Sequence, residues 1–168
     1  SRSVLITGMY QTTIGTHNMR TLQNLSREVP YYSAVLPPYV KTHSEYMRAA
    51  GYYCTNNEKT DYQFENPISA WDDCSRTAHW RNGPKDKPFF SIFNFTITHE
   101  SQMWLRKDEP MLADPARIKV PPIYPDTKIV RKDMARNYTN IMRMDEMVGK
   151  LLKELEEDGL LDKTIIFF

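Results

Sequence analysis

Apolar and polar positions change period several times along this chain, and each change marks an element. Val4, Leu5 and Ile6 follow Ser1 and Ser3 and stop at Gly8, the pattern of a short helix with a hydroxyl cap and a glycine exit. Residues 21–40 keep neither period and are punctuated by Pro30, Pro37 and Pro38, which predicts an irregular surface segment. Helix returns over residues 42–50, where Thr42 and Glu45 have capping-box spacing and Gly51 is the stop. Tyr52-Tyr53-Cys54-Thr55 predicts a strand running into a polar loop, residues 56–61, and residues 63–87 predict loop with one helical turn. Residues 88–95, from Pro88 to Phe95, are aromatic and β-branched and predict a strong strand.

Residues 96–128 are Pro-rich and aperiodic, a long loop of the kind that carries function. A third and longer helix is predicted over residues 132–157. Its apolar positions, Met134, Tyr138, Ile141, Met142, Val148, Leu151, Leu152 and Leu155, fall close to a 3.6 period, and Gly159 ends it. The methionines at 134, 142, 144 and 147 read as helix and core filler. Residues 160–168 then predict a strand that would be buried. Helices feeding apolar strands give an α/β class with a mostly parallel sheet flanked by helices. Neither end has the polar, exposed character of a natural terminus, so both read as cut.

Composition narrows the function classes. With 22 Lys and Arg against 21 Asp and Glu the net charge is +1, which implies no nucleic-acid field and leaves a charged substrate to be met by local charges. No apolar run approaches the roughly 20 residues of a membrane span. Six glycines and no glycine-rich loop argue against a phosphate-cradling nucleotide site. Two cysteines, Cys54 and Cys74, permit one bridge without requiring it, and are too few for a disulfide framework or a four-ligand zinc site. Three sequons, at Asn24, Asn94 and Asn137, read as chance matches, since two fall in a predicted strand and a predicted helix.

Spacing alone selects a short set of residues with chemistry. Ser1-Arg2-Ser3 puts hydroxyls and a guanidinium at a helix start, a place suited to an anion but equally to an ordinary cap and a surface arginine. Lys59 lies in the loop just after a strand, where α/β folds put ligands, although a lysine there is by itself a solvated one. His99 lies just beyond the strongest strand and is a candidate acid or base, with a hydrogen-bonded loop histidine as the plain alternative. His17 is a weaker candidate.

Taken in order, these residues resemble the sulfatase family. Residues 1–8, Ser-Arg-Ser-Val-Leu-Ile-Thr-Gly, are similar to the second half of the sulfatase signature, in which a Cys, any residue and a Pro come directly before Ser-Arg. The loop Asn56-Asn57-Glu58-Lys59-Thr60-Asp61-Tyr62, the strand from Pro88 leading to His99, the helix containing Arg143-Met144-Asp145, and the run Leu160 to Phe168 follow in the family's order. The resemblance covers the whole chain, and its nearest flavour is the heparan N-sulfatase-like and bacterial glycosaminoglycan sulfatase branch.

The resemblance implies an alkaline-phosphatase-like fold, with residues 1–168 forming part of a sulfatase catalytic domain. It implies hydrolysis of a sulfate ester or sulfamate on a sugar, a heparan-type unit being expected, with a formylglycine nucleophile and a calcium ion. Arg2 matches the arginine that holds the formylglycine, Lys59 the lysine on a sulfate oxygen, and His99 the histidine near the leaving group, expected as proton donor. His17 and Asp61 are expected on the substrate side. Asp61 stands where the family often has a histidine, which leaves open whether it handles a proton or the local alignment slips. The signature Cys and the metal-binding aspartates are not among these residues, so no metal ligand is expected here. Two other readings remain: an inactive sulfatase-like binding module, and a phosphonate or phosphate monoester hydrolase. The expected partner is a sulfated carbohydrate, and the expected location is periplasmic or secreted, with lysosomal as the alternative.

Overall fold

A computed structural model describes residues 1–18 and 32–168. The predicted irregular segment 21–40 is described only from residue 32, and Asn24 and Pro30 lie outside the described residues. The chain divides into two units, Ser1–Asn94 and Phe95–Phe168.

In the first unit the short opening helix forms as α1, Arg2–Thr7, and Gly8 ends it at φ 68°, a left-handed conformation natural to glycine, with its N–H on the Val4 carbonyl. Helix α2, His43–Ala49, starts at Thr42, whose N–H donates to Glu45 Oε2 at 2.8 Å, the reciprocal contact that the capping-box spacing predicts. Strand β1, Tyr53–Asn57, follows at once. Strand β2, Asp73–Cys74, falls inside the segment predicted as loop with one helical turn, and that segment also holds a 3₁₀ turn, Trp80–Asn82. Strand β3, Phe89–Phe93, is the aromatic run of the sequence. All three strands are parallel in the order β2-β1-β3, with Tyr53 opposite Phe89 and Asn56 opposite both Ile92 and Cys74. The predicted parallel sheet with helices beside it is therefore present.

Ile6, Cys54, Tyr62, Phe64, Ala70 and Trp71 form the core of this unit, with Leu36, Met47, Phe90 and Ile92 packed on them. Phe90 lies stacked on Trp71 and meets His43 edge-on. Gly83 has no room for a side chain, because a Cβ there would stand 2.3 Å from the Tyr53 ring. Cys54 and Cys74 are free thiols. The sheet register explains this, since it pairs Cys74 with Asn56 and leaves the Cys54 sulfur facing the Ser44 carbonyl at 3.6 Å.

The second unit is built on α3, Ser101–Leu105, a 3₁₀ turn at Pro115–Arg117, helix α4, Lys128–Glu157, and a 3₁₀ turn at Leu161–Lys163. Three expectations change here. The long loop contains α3, which is too short to show a period. Helix α4 begins four residues earlier than predicted, because Thr127 caps it by accepting the Val130 N–H. Residues 164–168 form no strand, since a ladder needs a neighbour and none among the described residues pairs with them; Phe167 and Phe168 are both 93% exposed.

Helix α4 also departs from its pattern. Its buried side chains include Arg136, Thr139 and Asn140, while Tyr138, Ile141, Met142 and Met147 are exposed, so Met142 and Met147 are not core filler. The polar side is covered by the preceding loop. Arg136 donates to the carbonyls of Lys107, Glu109 and Pro110, Thr139 Oγ1 accepts the N–H groups of Leu112 and Ala113, and Arg143 pairs with Glu109. Backbone groups of an irregular segment need partners, and a helix face of Arg and Thr supplies them where an apolar one would not.

Candidate active site

The carboxyl end of the central strand β1 runs straight into residues 58–63, and this loop carries Lys59 and Asp61. Crevices at strand carboxyl ends are where open α/β sheets receive ligands. Asn56, fully buried at the end of β1, fixes the loop from below: its Nδ2 donates to the Lys59 carbonyl at 3.2 Å and to Cys74 Sγ at 3.3 Å. Its Oδ1 accepts from Asn94 Nδ2 at 2.9 Å, and Asn94 also donates to the Asn57 carbonyl. One amide thus ties β1, β2 and the end of β3 to the loop. It also occupies the Asn94 side-chain nitrogen that a glycan would need.

Arg2 fixes the loop from above. Its Nε donates to the Thr60 carbonyl at 2.8 Å, and a second guanidinium nitrogen donates to the Lys59 carbonyl. At the helix start Arg2 thus spends donors on backbone carbonyls, and Ser3 is buried, its Oγ accepting from Thr16 Oγ1 at 2.8 Å. Between these anchors Tyr62 turns into the core. Burial pushes its hydroxyl up to about 12, even with the Arg2 guanidinium pulling the other way.

Around that buried ring the backbone is forced. Asp61 and Gln63 have φ of 49° and 63°, left-handed values that cost non-glycine residues on the order of 1 kcal/mol each. Lys59 Nζ lies 3.3 Å from Asp61 Oδ2, with the two side chains 30% and 23% exposed. Lys59 is therefore a tethered cation rather than a freely solvated one. Asp61 and His17, both expected on the substrate side, line one cleft of about 80 Å3 together with Ser1, Gln11, Asn18 and Gln63.

His99 belongs to the second unit, as predicted just past β3. Its Nδ1 accepts the Ser101 N–H at 3.2 Å and lies 2.9 Å from Ser101 Oγ. Asn56, Asn94 and Ser101 escaped the sequence reading. The signal available for the first two was an asparagine at the end of each apolar strand, where an amide is costly to bury unless it is bonded.

The groups that the resemblance implies find no home among the described residues. No three His, Cys, Asp or Glu side chains converge to hold a metal. Burial, helped by Asp72, pushes the Cys54 thiol up to about 12, which does not suit a nucleophile.

Comparison with known proteins bears on the site as a whole. The chain is 43% identical to an ulvan-active sulfatase of Formosa agariphila, a match covering 100% of this chain and 34% of the relative. It is 41% identical over 59 residues to the N-sulphoglucosamine sulphohydrolase of Homo sapiens, covering 35% of this chain and 12% of the relative. The chain thus spans about a third of the first relative's length. The Sulfatase family model matches residues 1–168. A parallel sheet, a lysine loop at its central strand and a histidine beyond its last strand all lie within that match, and the chain belongs to the sulfatase family.

Proposed function

We propose that the protein of which these residues form catalytic-domain sequence removes sulfate from a sulfated polysaccharide. The observation that carries the reading is the Lys59 ammonium at the carboxyl end of the central strand, in a loop whose Lys59 carbonyl accepts from both Asn56 and Arg2. A sulfuryl group in transfer concentrates charge on its peripheral oxygens, and a cation already in place lowers that barrier without reorganising. One unit charge at about 4 Å, at an effective dielectric of about 20, amounts to about 4 kcal/mol. Arg2 acts chiefly by holding the Lys59 carbonyl, Asp61 orients the ammonium, His17 meets the sugar side, and His99 serves the leaving atom.

Two substrates compete. The relative matching the whole chain supports ulvan, while the partial human match supports an N-sulfated glucosamine of heparan type. We rank ulvan first because its support spans every residue of the site. Such polymers are met outside the cytosol, which supports a periplasmic or secreted location. Among the described residues no helix is long and apolar enough to cross a membrane.

The test is sulfate release by the full-length protein from ulvan and from N-sulfoglucosamine, with and without Lys59→Ala. The substitution should lower turnover about 10²- to 10³-fold. It should change stability by less than about 1 kcal/mol, since a partly exposed ion pair is all that is lost. A loss under about tenfold removes Lys59 from the sulfate pocket.

A further inference from the structure

His99 sits in a turn closed by its own N–H on the Thr96 carbonyl at 3.0 Å, and its carbonyl takes the Gln102 N–H at 2.9 Å. That turn delivers the ring to the start of α3, where Nδ1 meets Ser101 twice, at the N–H (3.2 Å) and at Oγ (2.9 Å). The two contacts differ in what they permit. A hydroxyl rotates and takes either role, but a backbone N–H donates in every state of the protein. Because the Ser101 N–H is aimed at Nδ1, that nitrogen presents its lone pair, and a neutral ring carries its one proton on Nε2. The Ser101 hydroxyl then donates to the same lone-pair side.

Nε2 has no hydrogen-bond partner among the described residues, and the ring is exposed, so its N–H is offered outward. His79 supplies the contrast. It too accepts an N–H two residues on, from Arg81 at 3.2 Å, but its ring lies 3.9 Å from the Trp80 ring and 5.4 Å from Phe93, where it packs. His99 has the same tether without the packing.

We propose that Ser101 is a positioning residue that fixes His99 as the Nε2–H tautomer, and that this N–H hydrogen-bonds the leaving atom of the sulfated sugar. The inference rests on the placement of His99 at the leaving group made above. It deepens that placement by changing the role. The Nε2–H donates a hydrogen bond to the leaving atom as its bond to sulfur breaks and stays on the ring, and the proton that atom takes comes from water, a use of neutral imidazole with enzymatic precedent.

The experiment uses full-length protein labelled with 15N-histidine, the His99 ring signals being assigned by their loss in His99→Gln. Above the ordinary histidine titration range the ring should show the Nε2–H pattern. Ser101→Ala keeps the backbone N–H and so should keep the Nε2–H pattern, but it frees the ring of its hydroxyl hold and should lower kcat on a sugar sulfate about three- to tenfold, with KM within about twofold. Ser101→Thr should restore kcat. An Nδ1–H pattern in the wild type overturns the proposal, as does a Ser101→Ala protein with unchanged kcat. Full turnover by His99→Gln overturns the leaving-group placement on its own, because the tautomer is read without turnover.

Discussion

Replacing Asn56 with Ala isolates the anchor beneath the lysine loop. The amide is fully buried and makes bonds to the Lys59 carbonyl, Cys74 Sγ and Asn94 Nδ2. Two of these are ordinary amide bonds, each contributing about 0.5–1.5 kcal/mol net, and the sulfur contact adds less. Neither strong partner is orphaned by the change: the Lys59 carbonyl keeps Arg2, and Asn94 keeps the Asn57 carbonyl. The penalty for stranded polar groups is thus small, and the cavity left by the amide adds on the order of 1 kcal/mol. The total comes to about 2–4 kcal/mol, read as a lower denaturation midpoint of the full-length protein at unchanged slope. Sulfate release measured well below the unfolding transition should also fall, because the Lys59 backbone loses one of its two holds. A destabilisation below about 0.5 kcal/mol, or a loss of stability with full turnover, would refute the view that this amide sets the loop.

Glu45 is predicted to titrate with the stability of α2. Burial raises its pKa, but hydrogen bonds from Ser69 and Thr42 and the Lys41 charge outweigh this and hold it below the usual carboxylate value. The stabilisation is therefore present above the ordinary carboxylate range and fades as pH falls through the depressed pKa, so the midpoint gap between wild type and Glu45→Gln should shrink on acidification; a pH-independent gap contradicts this. Gly83→Ala should destabilise by about 1–3 kcal/mol by driving a methyl into the Tyr53 ring, and Tyr53→Ala in the same protein should recover part of the loss. His99→Ala should harm release from a sugar sulfate far more than from an activated aryl sulfate, whose leaving group needs little help; equal losses would make His99 a binding residue.

Elements with local punctuation were legible from the sequence. Helix α2 carries its own cap and stop, β3 its aromatic run, and α4 a period long enough to survive noise. What escaped depends on partners distant in sequence. Strand β2 is two residues long and exists because β1 lies beside it. The run at 164–168 has strand composition and no ladder, so composition misled. In the site, the position of Lys59 after a strand was readable, whereas the uses of Arg2, Asn56 and Ser101 were not. Each acts by donating to or accepting from a particular backbone group, and no pattern of residue types announces where such a group will stand.

Parallel pairing has a kinetic consequence for the lysine loop. Thr55 meets Ser91 across 36 residues, Asn56 meets Asn94 across 38, and Arg2 meets Thr60 across 58. No nearby turn can hold these groups together while the rest of the chain searches. Each doubling of such a closure costs only about 0.6 kcal/mol in entropy, but the cost falls due before any contact rewards it. High contact order of this kind slows folding and makes it cooperative. A peptide spanning β1 and the loop would therefore not hold Lys59 in place, and the site should appear in refolding together with the sheet rather than ahead of it.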